Sequence, residues 1–390
     1  MKKPLALALA LWLAAGTSFA WEPRALGHVE GPIPDALQQP PETTMSAWVK
    51  GPGAPAPLAG RPGVWLRFSN HNHTGYWDGR QSLGHMQVAA FSAGLDAMAV
   101  TDHNTMRGTT SHEYLHPPEG LIMVKGMEWN AWNEHGQTVV GHANLLGMTG
   151  DKPIRPTASL DEMLAEAARR DATIIINHPF CWRLSWQQAE PDPRAHAVEV
   201  WNGWWYLVKP LMNNDSALAW WEQALRKGRR LTAVAGTDNH GQVYDHVARN
   251  VNMVFAETAD EAGILKAVRE GRVTITSGVE DGAVYLEGDR DDDGTFDTMM
   301  GDVLPRPRSG RLTVRARVLG ASGQQVAFYT ARGRVAVKRV EGPNATIPLT
   351  VPLGDGHDYV RAELRPNADS PLTMTSLTNP IYVEPPAPTP

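Results

Sequence analysis

Short apolar runs and amphipathic segments alternate along the first two thirds of the chain. Seven runs of apolar or β-branched residues predict strands, at residues 64–68, 97–100, 121–124, 138–146, 173–176, 197–201 and 231–235. Near-continuous apolar runs of this length suit strands that are buried on both faces, as in a parallel sheet. The pattern therefore predicts a sheet covered by helices rather than a one-sided antiparallel sheet.

Helical spacing appears between several of these runs. Residues 82–94 are amphipathic, and Ser159 with Glu162 forms a capping box that predicts the start of a helix. Residues 215–227 have helical spacing and are followed by a glycine stop, and Thr258 with Glu261 predicts a second capping box, with Gly271 ending that helix. Alternating strands and helices predict a distorted (β/α) barrel.

The pattern changes near residue 281, where helical periodicity gives way to short alternating strands such as 312–318 and 359–364. Turns rich in Gly, Pro and Asn separate them, which predicts a β-sandwich. The predicted organisation is a signal peptide at 1–20, a Pro/Gly-rich leader at 21–63, a barrel at 64–280, a β-sandwich at 281–384 and a tail at 385–390. A chain of 390 residues with 42% hydrophobic content is long enough for two cores.

The N-terminus indicates export. Lys2 and Lys3 precede an apolar run at 5–15, and Ser18-Phe19-Ala20 has the small-x-small pattern of a cleavage site. A membrane anchor is the alternative, but the run is short for a span and no second candidate follows it. Cleavage predicts a periplasmic or secreted protein, with no membrane span left and a net charge that moves from −6 to −8. Such an acidic chain is not expected to bind nucleic acid.

Potential metal ligands follow six of the seven predicted strands, whereas the sixth strand ends at Glu199 to Gly203 without an obvious ligand. The C-terminal mouth of a barrel is where catalytic residues gather, and imidazoles and carboxylates bind first-row metals. The lone Cys181 could be a nucleophile, but a small buried residue beside the site is the favoured interpretation. The motifs at the strand ends are His71-x-His73 with Asp78, Asp102-His103, Glu128, His142, His178-Pro179 and Asp238-x-His240.

Together these motifs resemble the PHP superfamily, named for polymerases and histidinol phosphatase, over about residues 64–278. The resemblance implies a distorted (β/α)7 barrel, two or three divalent ions (Mn, Zn or Fe) and phosphoester hydrolysis. Two positions depart from the family pattern: Ser69 stands where Asp is frequent, and Trp77 where Ser is usual. Residues 141–147 and 266–272 resemble the branch that includes carbaryl hydrolase. The ligands implied are His71, His73, Asp78, His103, Glu128, His142, His178, Asp238 and His240.

The expected activity is that of an exported metal-dependent hydrolase, foremost a phosphoesterase that uses a metal-bridged hydroxide on a small-molecule substrate. Carboxylic or carbamic ester (or amide) hydrolysis is the alternative, and a non-catalytic binding protein the second; a proofreading exonuclease fits poorly with export. Asp102 and Asp238 are candidates to orient water or accept its proton. Asp102 could instead support His103. The oligomeric state stays open.

Substrate contacts are less defined by the sequence. Arg107 and Arg183 are candidate phosphate ligands, and Trp129 belongs to a set of tryptophans near strand ends that could line an aromatic pocket. Solvated loop arginines and tryptophans that pack the barrel helices are the alternatives. The sequence leaves both interpretations open.

A second metal motif lies beyond the barrel, where aspartates alternate ahead of Gly294 as in the start of a calcium loop. Met300 occupies the position at which an EF-hand would have Glu, so the motif is not an EF-hand, and Asp302 is a candidate to close the site instead. A solvated acidic turn is an equally good interpretation. The candidate calcium ligands are Asp289, Asp291, Asp293 and Asp297.

Overall fold

All seven predicted strands are present in the computed structural model, which describes residues 53–58, 60–132, 138–182, 184–203, 205, 213–241, 247–354 and 356–385. The predicted signal peptide, Arg183 and most of the tail lie outside these residues. Three strands, β4, β9 and β10, were not predicted. The strands of the first part are β1 Val64–Ser69, β2 Ala97–Ala99, β3 Ile122–Val124, β4 Gly126–Trp132, β5 Thr138–Leu146, β6 Thr173–Asn177, β7 Ala197–Asn202, β8 Thr232–Gly236, β9 Arg249–Ala256 and β10 Val273–Gly278.

The predicted all-parallel sheet is only partly right. Strands β1, β2 and β3 are parallel, as are β6, β7 and β8, but β4, β5 and β6 pair antiparallel. Only residues 133–137 connect β4 to β5, too few for the crossover that a parallel pair needs. Strand β9 pairs antiparallel with β1, and β10 with β9. The barrel is therefore mixed rather than uniformly (β/α).

Two short bridges join the sheet of β1–β3 to the sheet of β4–β8, and both lie among the predicted metal ligands. Asn72 bridges Asn239 after β1 and β8, and His103 bridges Glu128 after β2. The amide of His73 also donates to the carbonyl of Asn239 at 2.8 Å. The barrel is closed at the strand ends that carry the polar motifs.

Asparagine side chains form hydrogen bonds with backbone groups on one edge of β8, where no strand among the described residues pairs. Asn252 on β9 accepts from the amide of Ala235 at 2.9 Å and donates to its carbonyl at 2.8 Å. Asn379, near the C-terminus, does the same for Ala233, at 2.7 and 2.8 Å. Because a buried strand edge must pair its backbone groups, these two amides replace a neighbouring strand.

The predicted helices are present, but one of them begins at a different residue from the one predicted. The capping box of Ser159 and Glu162 is formed. The box predicted at Thr258 is wrong, because its hydroxyl donates to Asp260, and Asp260 caps the helix while the Glu261 side chain accepts from the amide of Lys125. The helices are α1 Leu83–Ser92, α2 His112–Leu115, α3 Leu160–Arg169, α4 Asn214–Arg226 and α5 Glu261–Arg269, with a 3₁₀ turn at Gly108–Thr110. Among the described residues, no helix has the length and apolarity required to span a bilayer.

The C-terminal part consists of strands arranged in two layers. One layer is the antiparallel sheet β12-β11-β14-β17, and the other contains β15, β16, β18 and β20. Alternate residues of β14 are buried, as the sequence pattern predicts, and they pack against β15 and β18 in one apolar core. The strands are β11 Ala283–Asp289, β12 Phe296–Met299, β13 Val303–Leu304, β14 Arg311–Leu319, β15 Gln325–Thr330, β16 Gly333–Arg339, β17 Asn344–Pro352, β18 Asp358–Arg365, β19 Ser376–Thr378 and β20 Ile381–Val383.

The sandwich and the barrel share a sheet. Strand β10 pairs antiparallel with β19, which pairs with β18, so a continuous sheet passes from β1 of the barrel into the sandwich. The buried guanidinium of Arg361 on β18 forms an ion pair with Glu222 on α4. The predicted mixed α/β fold with a C-terminal β domain is confirmed, while the boundary at residue 280 stays a prediction.

Candidate metal centre

All nine predicted ligands lie in one linked cluster at the mouth of the barrel, called here the barrel site. Donor atoms that lie within 4.8 Å of one another form three groups. Shared members connect the groups: His73, His103 and Glu128 each belong to two. The groups are His73, Asp78, His103 and His240; His71, His73, Glu128 and Asp238; and His103, Glu128 and His142.

Glu128 on β4 stands at the centre of the barrel site. Its Oε2 lies 3.3 Å from Nε2 of His71, 3.3 Å from Nε2 of His73 and 3.1 Å from Nδ1 of His103. Its Oε1 lies 3.0 Å from Nδ1 of His142 and 3.3 Å from Nε2 of His178. One fully buried carboxylate is thus surrounded by five imidazoles, although His178 belongs to none of the three groups above.

Asp78 and Asp238 complete the site on its solvent side. Asp238 Oδ1 lies 3.1 Å from Nε2 of His73, and Asp78 Oδ2 lies 3.3 Å from Nε2 of His240. The side chain of Asp78 is 39% exposed, that of His240 26% and that of Asp238 17%, whereas Glu128 and His71 are fully buried. Asp78 and His240 therefore form the solvent-accessible side of the site.

Buried polar atoms without hydrogen bonds mark the barrel site. They are His73 Nδ1, His103 Nδ1, His142 Nε2, His178 Nδ1 and Glu128 Oε2. A buried polar atom without a partner costs about 1–3 kcal/mol, so a cluster of them calls for a missing partner. Imidazole nitrogens and carboxylate oxygens are the donors that Mn, Zn and Fe accept. The residues therefore fit divalent cations.

The pKa values distinguish ligand candidates that are ready to bind a cation from those that must first lose a proton. Burial alone would raise the pKa of Glu128, but His103, His71 and His142 hold it well below its ordinary value. Burial lowers the pKa of His103 to about 3, which leaves its ring neutral. His73 is opposite: burial would lower its pKa, yet Asp238 and Glu128 raise it to about 10, so a cation must displace that proton to bind there.

Two of the ligand candidates have unusual backbone conformations. His178 has φ of 26° and Asp238 has φ of 54°, in the left-handed region that non-glycine residues seldom occupy. Such conformations cost about 1–3 kcal/mol each and persist only when their surroundings enforce them. Here they turn both side chains into the site from the ends of β6 and β8.

Asp102 holds the turn that follows His73. Its Oδ1 accepts from the amide of Thr74 at 2.6 Å, and its Oδ2 from the hydroxyl of Thr74 at 2.7 Å. Burial raises the pKa of Asp102 to about 6. These contacts do not test the alternative role of supporting the His103 ring, which stays a prediction. A catalytic role for Asp102 stays a prediction.

The sequence did not reveal Glu199 on β7, which contacts two of the ligand candidates. Its Oε1 lies 2.8 Å from Nδ1 of His71, and its Oε2 accepts from the amide of His178 at 3.0 Å and from Asn202 at 3.1 Å. A Cβ on Gly236 would lie 1.8 Å from its Oε1, so the neighbouring strand has glycine there. A charged residue within an otherwise apolar strand was the available signal, because such residues are almost never buried unpaired.

The three predicted substrate contacts are not supported at the barrel site. Trp129 is fully buried in the core outside the barrel and donates to the carbonyl of Arg155 at 3.1 Å, so its assignment to the substrate pocket is wrong. It alternates with Glu128 along β4 and therefore points to the other face. Arg107 is exposed beside the 3₁₀ turn and forms no ion pair with a described residue, and Arg183 lies outside the described residues.

Packing also explains other tryptophans in the set. Trp186, Trp201, Trp205 and Trp221 are all buried in the same core. Trp77 differs, because its side chain is 41% exposed and it directly precedes Asp78. Its ring centroid lies 6.2 Å from that of Trp132. An aromatic surface therefore borders the solvent side of the barrel site, formed by Trp132 of the predicted set and by Trp77, which was not in that set.

The predicted calcium ligands lie in the loop between β11 and β12, residues 289–297, called here the aspartate loop. Donor oxygens of Asp289, Asp291 and Asp293 lie within 4.8 Å of one another. Asp297 is outside this group and forms an ion pair with Arg290 at 3.4 Å. Asp302 cannot close the site as proposed, because its carboxylate pairs with both terminal nitrogens of Arg61.

Comparison with known proteins gives likenesses of structure alone. No family model and no curated protein matches the chain. A two-domain protein from Bacteroides vulgatus containing a predicted PHP-like metal-dependent phosphoesterase is similar over 84% of this chain and 98% of its own, with 18% identity and a TM-score of 0.46. A candidate metal-dependent phosphoesterase from Bifidobacterium adolescentis is similar over 45% of this chain and 87% of its own, with 15% identity and a TM-score of 0.33.

An amidohydrolase from Chromobacterium violaceum, with bound sulfate and no metal, is similar over 46% of this chain and 89% of its own, with 15% identity and a TM-score of 0.34. The resemblance to the PHP superfamily rests on the sequence motifs of this chain. The narrower likeness to the carbaryl hydrolase branch stays a prediction. The proposed function therefore stands on the geometry of this chain's own residues.

Proposed function

We propose that the protein is a metal-dependent hydrolase whose foremost substrates are small phosphoesters. The observation that carries this proposal is Glu128, a fully buried carboxylate with five imidazole nitrogens within 3.3 Å. A hydrogen-bonded core would not leave so many buried ring nitrogens without partners. Residues that hold several cations at a solvent-accessible mouth are those of a hydrolytic site.

Divalent cations at such a site lower the pKa of a water molecule and polarise a phosphoryl or carbonyl oxygen. Asp78, Asp238 and His240 lie on the accessible side, where that water and the substrate enter. Asp238 Oδ1 faces His73 and His71, while its Oδ2 lies 3.9 Å from His178 and is the less crowded oxygen. We assign Asp238 Oδ2 as the atom that accepts the proton of the attacking water.

Glu199 positions two of the ligand candidates without itself belonging to the donor groups. Because it faces Nδ1 of His71, it fixes the ring so that Nε2 points toward Glu128 and Asp238. Its second oxygen holds the amide of His178, so one buried carboxylate orients two ligand candidates. Carboxylates in this position set the tautomer and raise the basicity of a metal-binding imidazole.

Carboxylic or carbamic ester hydrolysis is the second candidate, and the aromatic pair of Trp77 and Trp132 suits the aryl group of such an ester. Trp77 is next to Asp78 in the chain, and its ring is tilted by 39° from that of Trp132, so the pair could contact a ring-bearing leaving group. A phosphoester with an aryl group would use the same surface. The aromatic pair therefore indicates an aromatic leaving group, and it does not distinguish a carboxylic or carbamic ester from a phosphoester.

A substrate panel with metal analysis tests the proposal. Protein purified without chelator should contain two or three equivalents of Mn, Zn or Fe and hydrolyse phosphomonoesters or phosphodiesters, with activity lost on chelation and restored by Mn. Rapid aryl ester or carbamate turnover without phosphatase activity would instead establish the second candidate. Protein that retains bound metal but hydrolyses neither class would be a binding protein.

Export is proposed from the N-terminal sequence alone, since residues 1–20 lie outside the described part of the chain. Expression of the full chain in a Gram-negative host should yield a mature protein in the periplasmic fraction that begins at Trp21. An N-terminus at Met1 in the membrane fraction would favour an uncleaved anchor.

A further inference from the structure

We propose that the aspartate loop binds one calcium ion, independently of the barrel site. The loop connects β11 to β12, and Asp289, Asp291 and Asp293 direct one donor oxygen each to a region no more than 4.8 Å across. Alternate residues supply these oxygens, so three carboxylates converge without any help from distant parts of the chain. Calcium accepts oxygen ligands from such short loops at 2.3–2.6 Å and tolerates irregular geometry.

The strongest evidence beyond the aspartates' proximity is the state of Asp289. Its side chain is 4% exposed, its Oδ2 accepts from the amide of Gly294 at 2.9 Å, and its Oδ1 is buried without any hydrogen bond. An ionised carboxylate oxygen left unpaired in a buried position is costly. A cation held with Asp291 and Asp293 would supply the missing partner.

Charge in the loop supports the same conclusion. Asp291 forms no hydrogen bond or ion pair with a described residue, and Arg290, the basic residue within the loop, pairs with Asp297. Asp292 points elsewhere, because its oxygens accept from Ser309 and Thr313 at 3.2 and 3.3 Å. Among the described residues, the three converging carboxylates therefore have no cationic partner, and like charges at this distance repel one another.

The donor chemistry selects the ion. All three side chains offer oxygen and none offers nitrogen or sulfur, which favours calcium or magnesium over the transition metals of the barrel site. Magnesium requires near-octahedral geometry at 2.0–2.1 Å, whereas calcium accommodates the spread of a flexible loop. We expect an affinity in the range of extracellular modules, about 10⁻⁴ to 10⁻³ M.

Matched variants of the full chain test this proposal. Asp291→Asn removes one charge from the converging group, and Asp292→Asn removes the same charge from the neighbouring residue that points away. Calcium should raise the Tm of the parent protein and of Asp292→Asn by about 2 °C or more. The calcium midpoint for Asp291→Asn should move at least about tenfold higher, and magnesium should substitute poorly.

Hydrogen exchange locates the ion independently of stability. Calcium should slow exchange of the backbone amides across residues 289–297 in the parent protein and in Asp292→Asn, and in Asp291→Asn only at calcium concentrations about tenfold higher. Equal calcium responses in all three proteins, or slowed exchange confined to the barrel site, would overturn the proposal. Because metal content and hydrolysis at the barrel are measured on the same samples, failure here is distinguishable from failure of the proposed hydrolase.

Discussion

Ligand candidates of the barrel site come from stretches of chain as far apart as His71 and His240, whereas those of the aspartate loop lie within five consecutive residues, 289–293. The barrel donors are mostly buried imidazoles supported by other side chains. The loop donors are carboxylates, and Asp291 and Asp293 are exposed. A site gathered by the fold should bind tightly and stabilise the whole chain, while a local site should bind weakly and order its own loop.

The largest effect is expected from Glu128→Gln. The substitution keeps the shape of the side chain but removes its negative charge, which lies within 3.3 Å of five imidazole nitrogens. We expect loss of at least one metal equivalent and a fall in kcat/KM of more than about 100-fold. Metal analysis and steady-state kinetics measure both. Glu190→Gln, an exposed control, should change neither. Full metal content with unchanged kcat/KM in Glu128→Gln would contradict the central role of this carboxylate.

Chelation should separate the two sites by their contribution to stability. A ligand at about 1,000 times its Kd stabilises the folded state by about 4.1 kcal/mol. At roughly 2–4 °C per kcal/mol, loss of the barrel metals should lower Tm by about 8–16 °C. Readdition of Mn or Zn to the chelator-free apoprotein should restore most of this loss in a thermal melt, and calcium only a small part. Complete restoration by calcium alone would remove the distinction between the sites.

A smaller effect is expected from Glu199→Gln, because Glu199 orients ligand candidates rather than standing among the donor groups. Metal affinity should fall by about 10–100-fold, while saturating metal restores most of kcat. A competitive chelator titration measures the affinity, and the metal dependence of kcat measures the rescue. The matched control is Glu287→Gln, an equally buried position in the sandwich. No change in affinity would show that the contact with His71 has no influence on binding.

The smallest effect on chemistry is expected from Trp129→Phe. The change removes the hydrogen bond to Arg155 but keeps an aromatic ring in the core. The free energy of unfolding should decrease by about 1–2 kcal/mol, as judged by denaturant titration, with KM unchanged. Trp77→Ala should do the reverse and raise KM for aryl substrates without loss of stability. A raised KM in Trp129→Phe would restore the substrate role that the structure contradicts.

Residue type decided what could be predicted from the sequence. His71-x-His73 and Asp238-x-His240 carry a specific donor chemistry, so their meeting at the barrel mouth was predictable. Glu199 was not, because a single carboxylate in β7 acquires its role only where it faces His71. Trp129 was misassigned because sequence proximity to Glu128 says nothing about which face of β4 it occupies.

Strands β9 and β10 show a second reason why some elements could not be predicted from the sequence. Asn250 and Asn252 interrupt the apolar run of β9, so it did not resemble a buried strand. The structure explains them, because Asn252 pairs with the edge of β8 through its side chain. Strand β10 depends on β19, about a hundred residues later, and no local pattern encodes such a pairing.

The sheet shared by β10 and β19 makes the protein intolerant of C-terminal shortening. A premature stop after residue 280 would remove the partner of β10 and also Asn379, which pairs with the backbone of Ala233 in β8. Two rows of amides and carbonyls would then be exposed, and unpaired edges of this kind recruit other chains. A frameshift in the last quarter of the reading frame should therefore produce insoluble protein rather than a free-standing barrel.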